Sequence, residues 1–339
     1  MRVLLDAMGG DNAPEEIVKG CIGAIKEMDG FSVILIGDRS KIDEILMREQ
    51  FKSDRLTIKH TTEVISIDDA PVKAIRYKKD SSMVVGFNML KEKKGDVFLS
   101  AGNSGALMAG GLFILGRIAN VDRPALAPLA PSKKGMALLI DGGANTVCRP
   151  INFLQFGVMG SIYMKELFGI NQPKVGIISN GTEENKGTEL VRDSYALMKK
   201  ANINFVGNVE ARQITEGDVD VFVCDGFVGN ALLKLYEGLG KFLVDSIKDI
   251  FGGGILPKFA ALIVKKKLKK FAKLVNYEEY GGVPLLGVKG KVIKSHGSSK
   301  AKTIKFAVIN AANFAKSSVL EQIEEQIFSM EGENIEQKS

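Results

Sequence analysis

Short apolar, β-branched runs recur along the chain, at residues 3–6, 33–37, 57–59, 97–100, 137–141, 175–179, 204–207 and 221–225. Each ends in a polar or glycine-rich turn, and most lead into a stretch whose apolar positions repeat at helical spacing. Those helical stretches fall at about 15–28, 41–48, 104–118, 151–168, 188–200 and 230–250. Continuous apolar runs suit strands buried on both faces of a mostly parallel sheet. Strands alternating with helices predict an α/β fold with helices covering the sheet, although this pattern alone leaves a closed barrel open. No repeat and no Pro/Ser-rich linker divides the chain. Residues 1–328 therefore read as one α/β domain, and the polar residues 329–339 as a frayed tail.

The ends of the strands carry the candidate chemistry. In open parallel sheets ligands bind beyond the carboxyl ends of the strands. Here those ends present Asp6, Ser100, Asp141, Ser179, Asn208 and Asp225, several followed by glycine. Such residues also make ordinary turns, so a single end says little, while the set points to a site. Asp6 leads into Gly9 and Gly10. Ser100-Ala101-Gly102-Asn103-Ser104-Gly105 joins a strand to an apolar helix, and its small residues expose backbone N–H groups to an anion. Asp141-Gly142-Gly143-Ala144-Asn145 follows another strand. Asp225-Gly226-Phe227-Val228-Gly229-Asn230 opens a long helix with Lys234 one turn in. Asn103, Asn145 and Asn230 can donate to a phosphate or to a developing oxyanion.

Lys186, beside Gly187 and before a helix, is a candidate phosphate cation or an exposed surface lysine. Residues 281–287, Gly-Gly-Val-Pro-Leu-Leu-Gly, predict close backbone packing around a pocket mouth. His296-Gly297-Ser298-Ser299 precedes the last long helical pattern, where Ser298 and Ser299 are placed to cap the helix and its amides to hold an anion. His296 has three possible uses, as an acid, a donor or a structural hydrogen-bonder, while His60 ends a strand-like run. There is no Walker A sequence and no well-placed GxGxxG, and Gly238-Leu239-Gly240 lies inside a helical pattern.

Composition narrows the class. Hydrophobic residues make up 45% and charged residues 25%, which rules out disorder as the main state. Cys21, Cys148 and Cys224 are widely spaced, without zinc or redox-motif spacing, and with two histidines a His-rich metal site is not expected. Reduced, buried thiols fit a cytoplasmic protein. The opening run is cut short by Asp6, so no signal peptide is expected, and no apolar stretch approaches the ~20 residues of a membrane span.

The formal net charge is +6. Residues 250–277 hold Lys258, Lys265, Lys266, Lys267, Lys269, Lys270 and Lys273 and no acidic residue. Removing these seven lysines takes the formal charge from +6 to −1. The imbalance is therefore local, which argues against nucleic acid and for one docking arm. Leu262, Ile263 and other apolar residues are interleaved with the lysines. Lys267 interrupts the apolar stripe, so the pattern predicts a break near 264–267 and two short helices. An amphipathic, lysine-rich arm suits an anionic membrane surface or an acidic protein.

Together these motifs resemble the bacterial acyl-ACP:phosphate acyltransferases, the PlsX family. The matching pieces, in the family's order, are DAMGGDNAP (6–14), SAGNSGA (100–106), DGGAN (141–145), QFGVMG (155–160), GNVEAR (207–212), CDGFVGNALLK (224–234), YGGVPLLGV (280–288) and HGSS (296–299). Ser104 stands where the family usually has Thr. The family's NIGEE…KG segment is altered here around Gly181, with Gly181, Glu184, Lys186 and Gly187 kept.

The resemblance implies a three-layer α/β/α fold like that of isocitrate and isopropylmalate dehydrogenases, shared with phosphotransacetylases. A protruding helical hairpin would take the place of the lysine arm. It implies a homodimer that converts long-chain acyl-ACP and inorganic phosphate into acyl phosphate and free ACP. The product would pass to a membrane glycerol-3-phosphate acyltransferase for phosphatidic acid synthesis, with the enzyme cytoplasmic and peripherally bound to membrane. Phosphate is its own nucleophile and a thiolate is a tolerable leaving group, so neither cofactor nor metal is expected. The loop 100–105, Asn145, Lys186, Asn230 and His296 are expected around phosphate and thioester. The alternatives are a phosphotransacetylase acting on short acyl-CoA, a dehydrogenase of the same fold, and a non-catalytic membrane-binding protein.

Overall fold

The computed structural model describes residues 1–275 and 281–336; at 255, 256, 258, 259, 269, 270, 272–275 and 331–336 it describes the backbone alone. Val3 and Leu5 point one way from the first strand, β1 (Arg2–Asp6), and Leu4 points the other. All three are buried. Val3 and Leu5 pack with Ile17 and Val18 of α1 (Glu15–Glu27) and with Ile304 and Val308 of α10 (Ala301–Lys316). Leu4 joins Met83 and Phe87 of α4 (Ser82–Lys91) on the opposite face. Burial on both faces explains the unbroken apolar runs and makes three layers.

β1 pairs in parallel with β2 (Ser32–Gly37) and with β4 (Val97–Ser100). β3 (Leu56–His60) lies beyond β2, and β12 (Val292–Lys294) beyond β4, both parallel. β11 (Val283–Leu286) and β5 (Ala125–Leu126) complete this seven-stranded sheet through antiparallel pairs. A second sheet runs in the order β6 (Leu129–Ser132), β7 (Gly135–Ile140), β10 (Val221–Val223), β8 (Val175–Ile178), β9 (Phe205–Val209), with only β6 antiparallel. Both sheets are open, which removes the barrel. Val221 and Val223 face α6 (Pro150–Phe168) within the same buried cluster as Val3 and Leu5, so one core spans both sheets. Phe222 faces the other way, toward Ile214 and the first turns of α8 (Gly226–Gly252).

All eight apolar runs carry strands and all six helical stretches carry helix, the one from Ser104 passing from α5 (Ser104–Gly110) into a π-helical turn over Gly111–Leu115. The unforeseen elements include β5, β6, β11, β12, α3 (Pro71–Tyr77), α4, a 3-10 turn at Ala211–Thr215 and the C-terminal helix Val319–Glu336. Pro131 in β6 and Pro284 in β11 read as turn residues in a sequence, yet proline is tolerated on strands at or near a sheet edge. β12 is only three residues long and ends in lysine.

Two local expectations differ from the structure, one in the lysine arm and one past residue 328. The lysine arm does not break near 264–267: α9 (Ile255–Val275) is one helix packed against α8, and the chain reverses at Gly253–Gly254, where Gly254 has φ +128°. Lys265, Lys266 and Lys267 are all exposed, and so are Leu262 and Ile263. The stripe that Lys267 interrupts is not driven into a core, so nothing forces a break. The side chains of Lys258, Lys269 and Lys270 lie outside the described residues. At the C-terminus, α11 (Val319–Glu336) runs into the predicted tail as far as Glu336, and residues 337–339 of that tail lie outside the described residues. Its Val319, Ile323 and Ile327 are buried in the main core at helical spacing, and Met330 packs beside them.

Lys291 closes the C-terminal end of α10. Its Nζ donates to the carbonyl of Ala315 (2.9 Å) and to that of Ser317. An ammonium on orphan carbonyls at a helix C-terminus is favourable. Lys291→Met is expected to cost about 1–2 kcal/mol, read as a lower urea midpoint. An unchanged midpoint would show that the cap contributes nothing.

Candidate active site

β1, β4 and β12 are consecutive neighbours and parallel, so their carboxyl ends deliver three loops to one place. These are the loops beginning at Asp6, Ser100 and Lys294. The contacts between them are specific. Ser100 Oγ donates to Asp6 Oδ2 at 2.6 Å and accepts from Gly102 N at 3.0 Å. Asp6 Oδ1 accepts from Met8 N. Burial pushes the Asp6 carboxyl upward, opposed by these hydrogen bonds. A Cβ on Gly9 would lie 2.5 Å from Asp6 Oδ2 and 2.7 Å from Gly102 N, so only glycine lets the first two loops meet. Asp11 N donates to Gly297 O at 2.9 Å, and Asn12 Nδ2 reaches the carbonyls of Ser298 and Ser299.

The hydroxyls of the 296–299 loop do not cap α10 as expected. Ser298 Oγ bonds His296 Nδ1 (2.8 Å) and Ser299 Oγ bonds Ser295 Oγ (3.0 Å). The free amide of Ala301 is taken instead by Glu16 of α1 at 2.7 Å. Ser298 N also donates to His296 Nδ1, so the neutral imidazole carries its proton on Nε2.

The second sheet repeats the device. Asp141 directly follows β7, beside β10, and is fully buried. Its carboxylate accepts from the amides of Leu126, Gly143, Ala144 and Asn145. Asn145 Nδ2 donates to Asp141 Oδ2 and to Pro124 O. Asp225 caps α8 by accepting from Val228 N at 2.9 Å. Thus Asp6, Asp141, Asp225 and Asn145 shape loops with their polar atoms, which explains the residue types without any ligand contact.

Between the two sheets lies a cavity of about 730 Å³. Of the residues singled out in the sequence, Gly10, Gly102, Asn103, Ser104, Asn230, Lys234, His296, Ser298 and Ser299 line it. Gly9, Ser100, Asp6, Asp141, Asp225 and Asn145 stand behind this lining. Gly105 packs α5 onto α3, since a Cβ there would lie 2.6 Å from Pro71 Cγ. Lys186 sits elsewhere, in the exposed 179–187 loop between β8 and α7 (Glu189–Met198), and does not reach the lining.

The roles divide. Asn103 lines the cavity, but its Oδ1 caps α5 through Ala106 N, and its Nδ2 faces the carbonyls of Ser66, Ile67 and Asp69 at 3.1–3.3 Å. The Asn230 side chain, on α8, has no hydrogen-bond partner among the described residues. Lys234 is already paired with Glu237 at 2.8 Å. The pocket-mouth expectation for residues 281–287 holds in part: Gly281, Gly282 and Val283 line the cavity, and β11 accounts for the rest.

Two contributions carry no motif, the 64–67 stretch, which brings Val64, Ile65 and Ile67 to the cavity, and Lys294; Asp11, inside the 6–14 motif but not singled out there, also lines it. Lys294 is 8% exposed. Its Nζ donates to Ala101 O at 3.4 Å and to Ser295 O. Burial pulls its pKa down to about 8, against the nearby charges of Asp6 and Asp11. The available signal was the alternation Val292-Ile293-Lys294 running straight into the His296 loop, a strand end like the others.

The thiols are poor nucleophiles. Burial pushes Cys148 up to about 12, and Cys21 and Cys224 also well above the free-thiol range. Replacing all three by Ala or Ser is expected to leave turnover within a few-fold of wild type. Selective loss of turnover in a folded triple variant would restore a covalent route. Among the described residues no group of three or more His, Cys, Asp or Glu is placed to hold a metal ion.

Known proteins resemble the chain in sequence and in fold. Residues 1–322 match the family model described as "Fatty acid synthesis protein". The chain is 55% identical over 337 residues to the phosphate acyltransferase of Acetivibrio thermocellus, covering 99% of each. It is 46% identical over 335 residues to that of Clostridioides difficile, covering 98% of each. Among solved structures it resembles a phosphotransacetylase from Streptococcus pyogenes (TM-score 0.63, 15% identity, 93% of this chain and 94% of that one). A Staphylococcus aureus phosphotransacetylase is similar at TM-score 0.61 and 14% identity, over 93% and 94% of the chains. At that identity the likeness shows the fold alone. The loops that meet at β1, β4 and β12, the family match over nearly the whole length, and relatives that are phosphate acyltransferases lead to one conclusion: the chain belongs to the fatty acid synthesis protein family, the PlsX family of acyl-transferring enzymes.

Proposed function

We propose that the protein transfers the acyl group of a long-chain acyl-ACP to inorganic phosphate, giving acyl phosphate and free ACP. One observation carries this reading. A single cavity is lined both by short polar loops (Gly102, Ser104, His296, Ser298) and by apolar side chains (Val64, Ile65, Ile67, Leu126, Leu129, Leu233). The polar loops suit phosphate and a thioester carbonyl, and the apolar wall suits an acyl chain.

In the reaction a phosphate oxygen adds to the thioester carbon. The tetrahedral oxyanion collapses, the C–S bond breaks, and the thiolate leaves to take up a proton. Among the described residues, the Asn230 side-chain amide and the His296 Nε2–H are free donors for phosphate or oxyanion, beside a third from Lys294. The predicted roles of Asn145 and Lys186 are not part of this arrangement within one chain, because Asn145 holds the Asp141 loop and Lys186 lies off the cavity.

The arm supports a place at the membrane face. Leu262 and Ile263 are 64% and 85% exposed beside Lys265, Lys266 and Lys267. Apolar tips beside lysines suit an anionic lipid surface, and an acidic carrier protein would meet the same charge. No described helix is long and apolar enough to cross a membrane. Peripheral attachment to a cytoplasmic membrane face would let the acyl phosphate pass to a membrane glycerol-3-phosphate acyltransferase for phosphatidic acid synthesis. A homodimer is proposed with it, since α8 leaves Leu235, Leu239, Phe242 and Ile250 exposed at helical spacing.

The test is phosphorus NMR of palmitoyl-ACP and phosphate with the protein, with acetyl-CoA in a parallel tube. An acyl-phosphate resonance from palmitoyl-ACP is expected. A signal from acetyl-CoA alone would mean a phosphotransacetylase, and none from either would overturn the reading.

A further inference from the structure

The lining of the cavity contains two lysines of different kinds. Lys234 stands on exposed α8 with its charge already paired by Glu237. Lys294 is buried at the end of β12, where its register partner is Ser100 and the two neighbouring loops begin. It has no carboxylate within ion-pair distance among the described residues. Two of its N–H groups meet carbonyls, those of Ala101 and Ser295, and the third has no protein partner there. A buried cation without a paired anion is costly, and such a charge is kept where a ligand completes it.

We propose that Lys294 is the cation that receives the phosphate substrate, its ammonium filling the gap between the 100–105 and 296–299 loops. This assignment rests on the reading of the protein as a phosphate acyltransferase. Three features of the site fit it. The side chain opens onto the cavity beside Gly102, Ser298 and Ser299, residues too small to screen it. Its two carbonyl bonds fix Nζ in place, so a phosphate meets a prepositioned donor. Asp11 lines the same cavity and opposes an anion, and the lysine offsets that charge.

The charged groups around Nζ are Asp6 and Asp11 from the first loop, Lys234 and Glu237 from α8, and the titratable His296 on its own loop. The first two favour the ammonium form and Lys234 opposes it. With a free-enzyme pKa of about 8, the ammonium form is lost as the pH rises through that value. Phosphate affinity is therefore expected to fall from pH 7.5 to pH 9.5, on the order of 10-fold over that window.

The experiment measures binding of inorganic phosphate alone, by equilibrium dialysis with radiolabelled phosphate, alongside steady-state kinetics. For Lys294→Met, the phosphate Kd and the phosphate KM are expected to rise together, on the order of 10- to 100-fold, with the KM for the acyl substrate little changed. Lys294→Arg, which keeps the charge, is expected to recover part of the loss. Loss of stability in Lys294→Met with an unchanged phosphate Kd would make the residue a loop brace only and overturn the proposal. Should neither variant fold, a wild-type phosphate Kd that is flat between pH 7.5 and 9.5 would overturn it as well. Failure of the acyltransferase reading would appear separately, as a wild type that binds phosphate and yields no acyl phosphate.

Discussion

Gly229→Ala is expected to be the most damaging single methyl in the molecule. A Cβ at Gly229 would stand 1.9 Å from the carbonyl oxygen of Asp141 and 2.9 Å from its carbon. The obstacle is backbone held by the Asp141 turn, with Cys224 Sγ at 3.2 Å on another side, so no side chain can swing away. The first turn of α8 must move off β7, and it carries Asn230 and Lys234 with it. Overpacking of this kind costs about 1–3 kcal/mol, and more where the neighbour is backbone. A loss of roughly 3 kcal/mol in urea unfolding, with turnover nearly abolished, is the expected result.

Gly238→Ala on the same helix is the control. Beyond the helix's own local backbone no atom lies within 4 Å of a Cβ there, so alanine is expected to stabilise the helix by up to about 1 kcal/mol. A Gly229→Ala protein as stable as wild type would mean that α8 does not bear on the Asp141 turn as described.

Asn103→Ala is expected to act through position rather than through lost contact with phosphate. Its Oδ1 caps α5, and its Nδ2 gathers three carbonyls of the 66–69 stretch. Those bonds hold Ile65 and Ile67 against the cavity, although Ile67 itself is 73% exposed. Losing the cap costs about 1 kcal/mol. Freeing the stretch misplaces the apolar wall, and a misplacement of about 1 Å can cost on the order of 100-fold in rate.

The change is expected chiefly in the KM for the acyl substrate, with faster amide exchange over residues 63–69 and little change in phosphate KM. Asn103→Asp keeps the cap but sets a carboxylate against three carbonyls, so it should loosen the stretch as much. If exchange over 63–69 were unaltered while phosphate KM rose, Asn103 would be a direct phosphate ligand after all.

Much of the fold was legible because its strands are buried on both faces. Val3, Leu4 and Leu5 are apolar in succession for that reason, and the same holds for Val221, Phe222 and Val223. Elements with a weaker signature escaped. β12 is three residues long, and Pro284 disguises β11, yet β12 sits between β4 and β11 in the larger sheet. Its position cannot be read locally, because pairing joins residues 194 apart in the chain, such as Ser100 and Lys294 or Phe98 and Val292.

The sequence by itself determined the α/β class, the strand ends that carry the candidate site, the family, and the concentration of positive charge in residues 250–277. Each is a property of local order: a run of apolar residues, a glycine after an aspartate, a motif in register, a block of lysines. Tertiary structure decided which polar groups remain free once the loops are closed. Asp6, Asp141, Asp225, Asn103 and Asn145 all look like ligands in the sequence, and all are occupied by backbone partners in the fold, Asp6 by the Ser100 hydroxyl as well. Lys294 looks like one lysine among many, and strand pairing buries it against the cavity with a donor left over. The physical reason is that hydrogen-bond satisfaction and burial are set by neighbours distant in the chain, which no local pattern of residues encodes.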